Sequence, residues 1–126
     1  KQFVVHIGSR SQAQAMTESS RHLDHGQSEL DRLDMKLVQE EGWPMPRVEG
    51  CLVAFYCELR EVIEMGDTPQ SLVFGNIKKV FVDDQVASIN DQGRYVIDAK
   101  GIDPISRLGG SEYGTLGDIL NVPRPD

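Results

Sequence analysis

Apolar positions in this chain fall into short alternating or continuous runs, not into the three-to-four-residue spacing of long amphipathic helices. The clearest run is at the centre. Cys51, Val53, Phe55, Cys57 and Leu59 alternate with Leu52, Ala54, Tyr56, Glu58 and Arg60, a period of two that places one set inward and the other toward a partly wet face. Gly66-Asp67-Thr68-Pro69 then turns the chain, and a second run follows from Leu72 to Asp83. Together they predict a long antiparallel hairpin over residues 51–83, closed by a loop of about four or five residues. Near the start, Phe3-Val4-Val5-His6-Ile7 is apolar except for His6, which predicts a central strand buried on both faces. Ser9-Arg10-Ser11-Gln12 offers a capping box, with Ser9 as N-cap and Gln12 as its partner, and Ala13-Gln14-Ala15-Met16 favours helix. A helix is expected near residues 10–20.

The remaining segments are less regular. Residues 21–39 are polar with Leu23, Leu30, Leu33, Met35 and Leu37 interspersed, which reads as a short helix or an irregular cover. Pro44 and Pro46 make residues 40–46 an extended connector, because each proline disfavours helix in the residue before it. Asp91-Gln92-Gly93 marks a turn, and Arg94 to Ile97 is either a short strand or an extended arm. Ile102 to Gly110 reads as one helical turn, with Asp103 as N-cap, Pro104 at the first helical position and Gly109 as the stop. Val122-Pro123-Arg124-Pro125 is an extended tail. Strands outnumber helices, so residues 1–126 are expected to form one mainly β domain, a barrel or sandwich with small helical insertions.

Charge narrows the partners. Lys and Arg total 13 against 20 Asp and Glu, a net charge of −7. An excess of acid counts against a protein that coats nucleic-acid phosphates, which needs clustered Lys and Arg; the only adjacent basic pair is Lys78-Lys79. No apolar run approaches the roughly 20 residues that cross a bilayer, and no segment has the order of a secretory signal. A cytoplasmic home, with no nucleic acid and no membrane as partner, is the expectation. The chain opens at Lys1 directly into an apparent core strand, which suggests part of a longer protein. Cys51 and Cys57 are six residues apart on an extended run, roughly 20 Å, too far for a disulfide with each other. They read as buried structural thiols, in agreement with a reducing compartment.

Candidate chemistry is sparse. His22, Asp24 and His25 could ligate a metal, but no second cluster stands in fixed relation to them, and a solvated loop is the preferred reading; no metal site is expected. No nucleophile-elbow pattern and no glycine-rich phosphate-loop or dinucleotide fingerprint occurs. His6, between Val5 and Ile7, is either a satisfied inter-strand residue or a ligand contact. Ser9 and Ser11 stand where a strand runs into a helix start, so their hydroxyls and unpaired backbone N–H groups share a loop that can hold an anion. In Arg107-Leu108-Gly109-Gly110-Ser111-Glu112-Tyr113 the paired glycines let backbone approach a ligand, while Arg107 and Tyr113 can meet a charged or planar group. A plain turn with a surface arginine accounts for the same residues.

Several segments together resemble one family. Phe3-Val4-Val5-His6-Ile7-Gly8-Ser9 followed by Ala13-Gln14-Ala15-Met16 is similar to the Phe-Val-Val-Asn strand and Ala-x-x-Met helix of the flavin reductase-like, FMN-binding split β-barrel proteins of the flavoredoxin type. His25-Gly26-Gln27-Ser28-Glu29-Leu30 resembles the family's next insertion, and Pro46-Arg47-Val48, Cys57-Glu58-Leu59 and Leu72 to Asp84 its long hairpin. Asp103-Pro104-Ile105-Ser106-Arg107-Leu108-Gly109-Gly110-Ser111-Glu112-Tyr113 is the most specific match, to an Asp-Pro-x-x-Arg-Leu-Gly-Gly-x-x-Tyr segment. His6 stands where many relatives have Asn, exchanging an amide for a titrating ring. The resemblance covers nearly the whole chain in order and implies an antiparallel split barrel, here without the family's N-terminal strands. It implies FMN as cofactor, NAD(P)H as a co-substrate that passes hydride to the flavin, and a homodimer. No catalytic side chain is then required, and His6, Ser9, Ser11, Arg107, Gly109, Gly110 and Tyr113 become the cofactor-binding candidates. Two alternatives stay open: an electron carrier without reductase activity of its own, and a truncated, inactive fragment.

Overall fold

The computed structural model describes residues 1–126 and is mainly β, with 42% of residues in strands and 15% in helices. The expected hairpin is its spine. Strand β4 (Val53–Met65) and strand β5 (Gln70–Val82), thirteen residues each, pair antiparallel around the turn at 66–69. The ladder slips at Tyr56/Cys57 and at Leu59/Glu61, irregularities that bend and twist a long ribbon. Strand β1 (Gln2–Ile7) pairs antiparallel with β4 in the register Phe3↔Cys57 and His6↔Ala54, giving the order β1-β4-β5. The first strand is therefore an edge, not a central strand, and it is not buried on both faces: Val5 stays exposed. A continuous apolar run marks what a strand could bury, but within this chain β1 has a neighbour on one side only.

The central place belongs to β4, whose first half is covered on both faces. Ala54 and Tyr56 pack with Trp43, Val4 and Phe81 on one side. Val53 packs with Val86, Ile102, Ile7, Phe55 and Val82 on the other. The partly wet face expected from the alternation is thus dry here, because the connector carrying Trp43 folds back over it. Cys51 and Cys57 are both free and buried, as expected, and burial pushes the Cys57 thiol up from its ordinary value.

Three two-stranded ribbons surround the sheet: β2 (Leu37–Val38) with β3 (Arg47–Val48), β6 (Ala87–Ile89) with β7 (Tyr95–Ile97), and β8 (Ile105–Gly109) with β9 (Glu112–Thr115). Residues 95–97 thus resolve as a strand, with Arg94 just before it. Residues 21–39 are irregular apart from a helical turn at Glu29–Asp31 and β2. The early helix forms as a 3-10 turn, Arg10–Gln12, running into α1 (Ala13–Glu18). Gln12 completes one arm of the capping box, its Oε1 accepting from the Ser9 N–H at 3.0 Å.

The single helical turn expected at 102–110 is not there. The helix lies earlier, as α2 (Ala99–Ile102), and Asp103 ends it in the left-handed conformation, φ 49° and ψ 55°. Asp103 is a C-terminal residue, not an N-cap, and 105–109 is strand. Long-range pairing decides this: Ile105 N–H donates to Gly8 O at 3.1 Å, Arg10 N–H to Asp103 O at 2.9 Å, and Pro104 bridges to Ser9. Gly109 and Gly110, at φ 120° and 52°, turn β8 into β9 instead of stopping a helix. No helix is long and apolar enough to cross a membrane. The sheet does not close into a barrel within these residues, and β1 and β5 are its open edges.

Candidate functional site

The sequence-derived candidates occupy three separate places. The first surrounds His6 on β1. Its Nε2 accepts a hydrogen bond from the Val48 N–H at 2.9 Å, which ties β1 to β3. Burial, and then the charge of Arg47, lowers the imidazole's pKa from 6.5, so the ring is neutral at neutral pH. The bond gives His6 an inter-strand contact. His6 also lines a small apolar cavity of about 170 Å³ between α1 and the 29–35 cover.

The second place is the Ser9 loop. Ser9 is buried, and its Oγ makes no hydrogen bond of normal geometry. Ser11 is exposed, and both line a shallow depression with Arg10, Gly101 and Asp103. Arg10 pairs with Asp103 there at 3.0 Å. A carboxylate on the rim, whose cation is already engaged, works against a second anion.

The third place is built by the β8–β9 ribbon against the end of α1. Thr17, at the helix's last turn, and Tyr113, on β9, join hydroxyls at 2.8 Å across 96 residues of sequence. Arg107 on β8 lies opposite Tyr113 in register, 5.1 Å from its ring centre, and donates to the Gly110 carbonyl. Ser20 and Ser111 complete an open depression whose lining has one guanidinium, several hydroxyls and no carboxylate. That donor set suits a phosphate monoester. Arg107, Gly110 and Tyr113 are thus brought together; Gly109 serves the turn, while His6, Ser9 and Ser11 lie elsewhere. Nothing local in the sequence distinguishes the hydroxyls of Thr17 and Ser20 at a helix end. Only the register of β8 and β9 brings Thr17 to Tyr113 and Ser20 to the same depression.

Neither the His6 cavity nor the Arg107 depression is a complete flavin pocket. The apolar cavity falls below the roughly 300 Å³ at which ligand pockets begin, and the Arg107 depression has polar groups for a phosphate but no enclosing apolar walls for three fused rings. The residues present fit one end of FMN. No group of three or more His, Cys, Asp and Glu side chains is placed to hold a metal ion.

No protein-family model matches the chain. The uncharacterized protein YwrF of Bacillus subtilis is 27% identical over 128 residues, covering 98% of this chain and 61% of its own length. Among solved structures, nitrilotriacetate monooxygenase component B from Bacillus cereus superposes with a TM-score of 0.81 at 30% identity, over 96% of this chain and 59% of that one. Flavoredoxin of Desulfovibrio vulgaris (Miyazaki F) superposes at 0.76 with 23% identity, over 95% and 61%, a likeness of fold. The chain spans about three fifths of the length of the proteins it matches. In fold, and over nearly all of its own residues, the chain resembles the flavin reductase-like, FMN-binding split β-barrel proteins.

Proposed function

We propose that the chain is part of an FMN-dependent oxidoreductase in which a reduced nicotinamide is the hydride donor. The observation that carries this reading is the depression between β8, β9 and the end of α1, where Arg107 meets the hydroxyls of Thr17, Ser20, Ser111 and Tyr113 with no acid among them. Those side chains hold the flavin's phosphate: the guanidinium supplies charge-assisted donors, and the hydroxyls donate to the remaining oxygens. Bound FMN supplies a ring that takes up hydride and passes electrons on. The protein binds, orients and keeps water from that ring, and none of its side chains needs to act as general acid or base. The apolar walls for the ring come from beyond this depression, either from the part of its relatives' length that this chain does not span or from a second copy.

Partner and reaction separate by experiment. FMN titrated into the 126-residue protein, followed by flavin fluorescence quenching, is expected to saturate. Arg107→Ala is expected to weaken FMN binding about 10- to 100-fold, the worth of a charge-assisted hydrogen bond, and to leave riboflavin, which has no phosphate, unchanged. Equal loss for both flavins, or none for either, removes Arg107 from the phosphate site. Steady NADH or NADPH oxidation with excess FMN supports the reductase; flavin that binds but turns over only with a partner protein marks an electron carrier instead.

A further inference from the structure

The cavity beside His6 has a chemistry of its own. Its walls are Ala15 and Met16 of α1, Leu30, Leu33 and Met35 of the cover, and Val48 of β3. It is open to solvent, and its volume of about 170 Å³ is that of a single aromatic ring, not of a fused three-ring system. No Lys, Arg, Asp or Glu lines it, so it offers nothing to a charged ligand. Its polar lining is His6, Gln12 and Ser19; Gln12 is engaged with the Ser9 N–H and Cys51, and the Ser19 hydroxyl donates to the Met16 carbonyl. Because His6 Nε2 accepts from the Val48 N–H, the single imidazole proton sits on Nδ1, a donor left without a protein acceptor. The sulfurs of Met16, Met35 and Cys51, all lining the cavity, are polarizable partners for a ring edge. Cys51 already accepts from Gln12 Nε2 at 3.3 Å, so its thiol does not compete for the His6 donor.

We propose that this cavity binds a neutral molecule with a single aromatic ring and one hydrogen-bond acceptor, its ring against Leu30, Leu33 and Met35 and its acceptor on the His6 Nδ1–H. The site does not rest on the flavin reading: it shares only the Met16 side chain with the Arg107 depression and none of that depression's polar groups. Benzamide has the required ring and carbonyl, and toluene the ring alone. Titrating each into the 15N-labelled 126-residue protein should shift the Val48 N–H resonance saturably. His6→Leu should weaken benzamide about fivefold and leave toluene unchanged, since it removes the donor and keeps the apolar wall. Ala15→Phe fills the cavity and should abolish both, with circular dichroism confirming that the variant is folded. Should that variant not fold, Leu33→Ala enlarges the space and should admit naphthalene, which the unaltered protein excludes. Absence of a saturable shift at Val48 with either probe overturns the proposal. So does unchanged binding in folded Ala15→Phe, or an equal loss of both probes in His6→Leu.

Discussion

At position 6 an imidazole does the work of a neutral acceptor, and its environment sets a pH dependence. The folded ring titrates below 6.5 because burial and the Arg47 charge both oppose protonation. Protonation also places a hydrogen on Nε2, where the Val48 N–H now donates. Between the lowered pKa and 6.5 the unfolded chain binds more protons than the folded one, so the stability from neutral His6 is full above 6.5 and is lost as pH falls through the folded value. Thermal melts should show a lower Tm at pH 5.5 than at 7.5, and His6→Asn, which keeps an acceptor but does not titrate, should flatten that difference. Arg47 is the second residue whose surroundings matter more than its type. Nearly buried, it donates from Nε and Nη2 to the Glu40 carboxylate at 2.8 and 2.6 Å, and its guanidinium lies 3.6 Å over the Phe81 ring. Arg47→Ala leaves Glu40 unpaired and uncovers Phe81, and should cost about 2–3 kcal/mol in urea denaturation. Arg47→Lys should recover little, because an ammonium reproduces neither the fork nor the stack. Both residues were visible in the sequence, His6 as an oddity in an apolar run and Arg47 within a family-like segment. Their partners, at positions 48, 40 and 81, were not.

Among the elements, the junction of α2 and β8 shows where local signals mislead. Asp103-Pro104 is a good helix start by composition, yet the helix ends there. Pairing of Ile105 with Gly8 and of Arg10 with Asp103 outweighs a single helical turn, which has little stability of its own. Asp103 pays for the left-handed turn with strain that Asp tolerates and a β-branched residue does not. Asp103→Val should lose about 1–2 kcal/mol in chemical denaturation, while Asp103→Gly should be close to neutral, relief of strain offsetting the exposed ion pair with Arg10. The long hairpin was legible because period-two alternation, a glycine-proline turn and a second apolar run all agree on it. The 8–9 ribbon was not, since its two strands are short and only register with α1 and Gly8 defines them.

For the whole molecule, surface area is the telling quantity. The chain exposes 10,059 Å², where a compact 14.0 kDa protein exposes about 6,700 Å². An excess of about 3,400 Å² is well above the roughly 800 Å² per partner of a standard stable interface. Much of it is apolar and lies on the distal hairpin. Ile63, Met65, Leu72 and Phe74 share one face, Val62, Val73 and Ile77 the other, and all are exposed. A two-stranded ribbon open on both faces is marginal in water, and the homodimer that the family resemblance implies would cover it. Sedimentation should find the chain associated at micromolar concentration, and Leu72→Lys with Val73→Lys should return it to monomer without changing the first half of β4; a monomer throughout would assign that face to some other cover. The mainly β character, the hairpin, the short helix after β1 and the buried thiols were decided by the sequence itself, because each rests on periodicity or capping among near neighbours. Which strand is central, where the helix near Asp103 ends, and that Arg107 and Tyr113 meet Thr17 and Ser20 while His6 and Ser9 stand apart were decided only in three dimensions. Those outcomes depend on pairings between residues up to 96 positions apart, which no local pattern encodes.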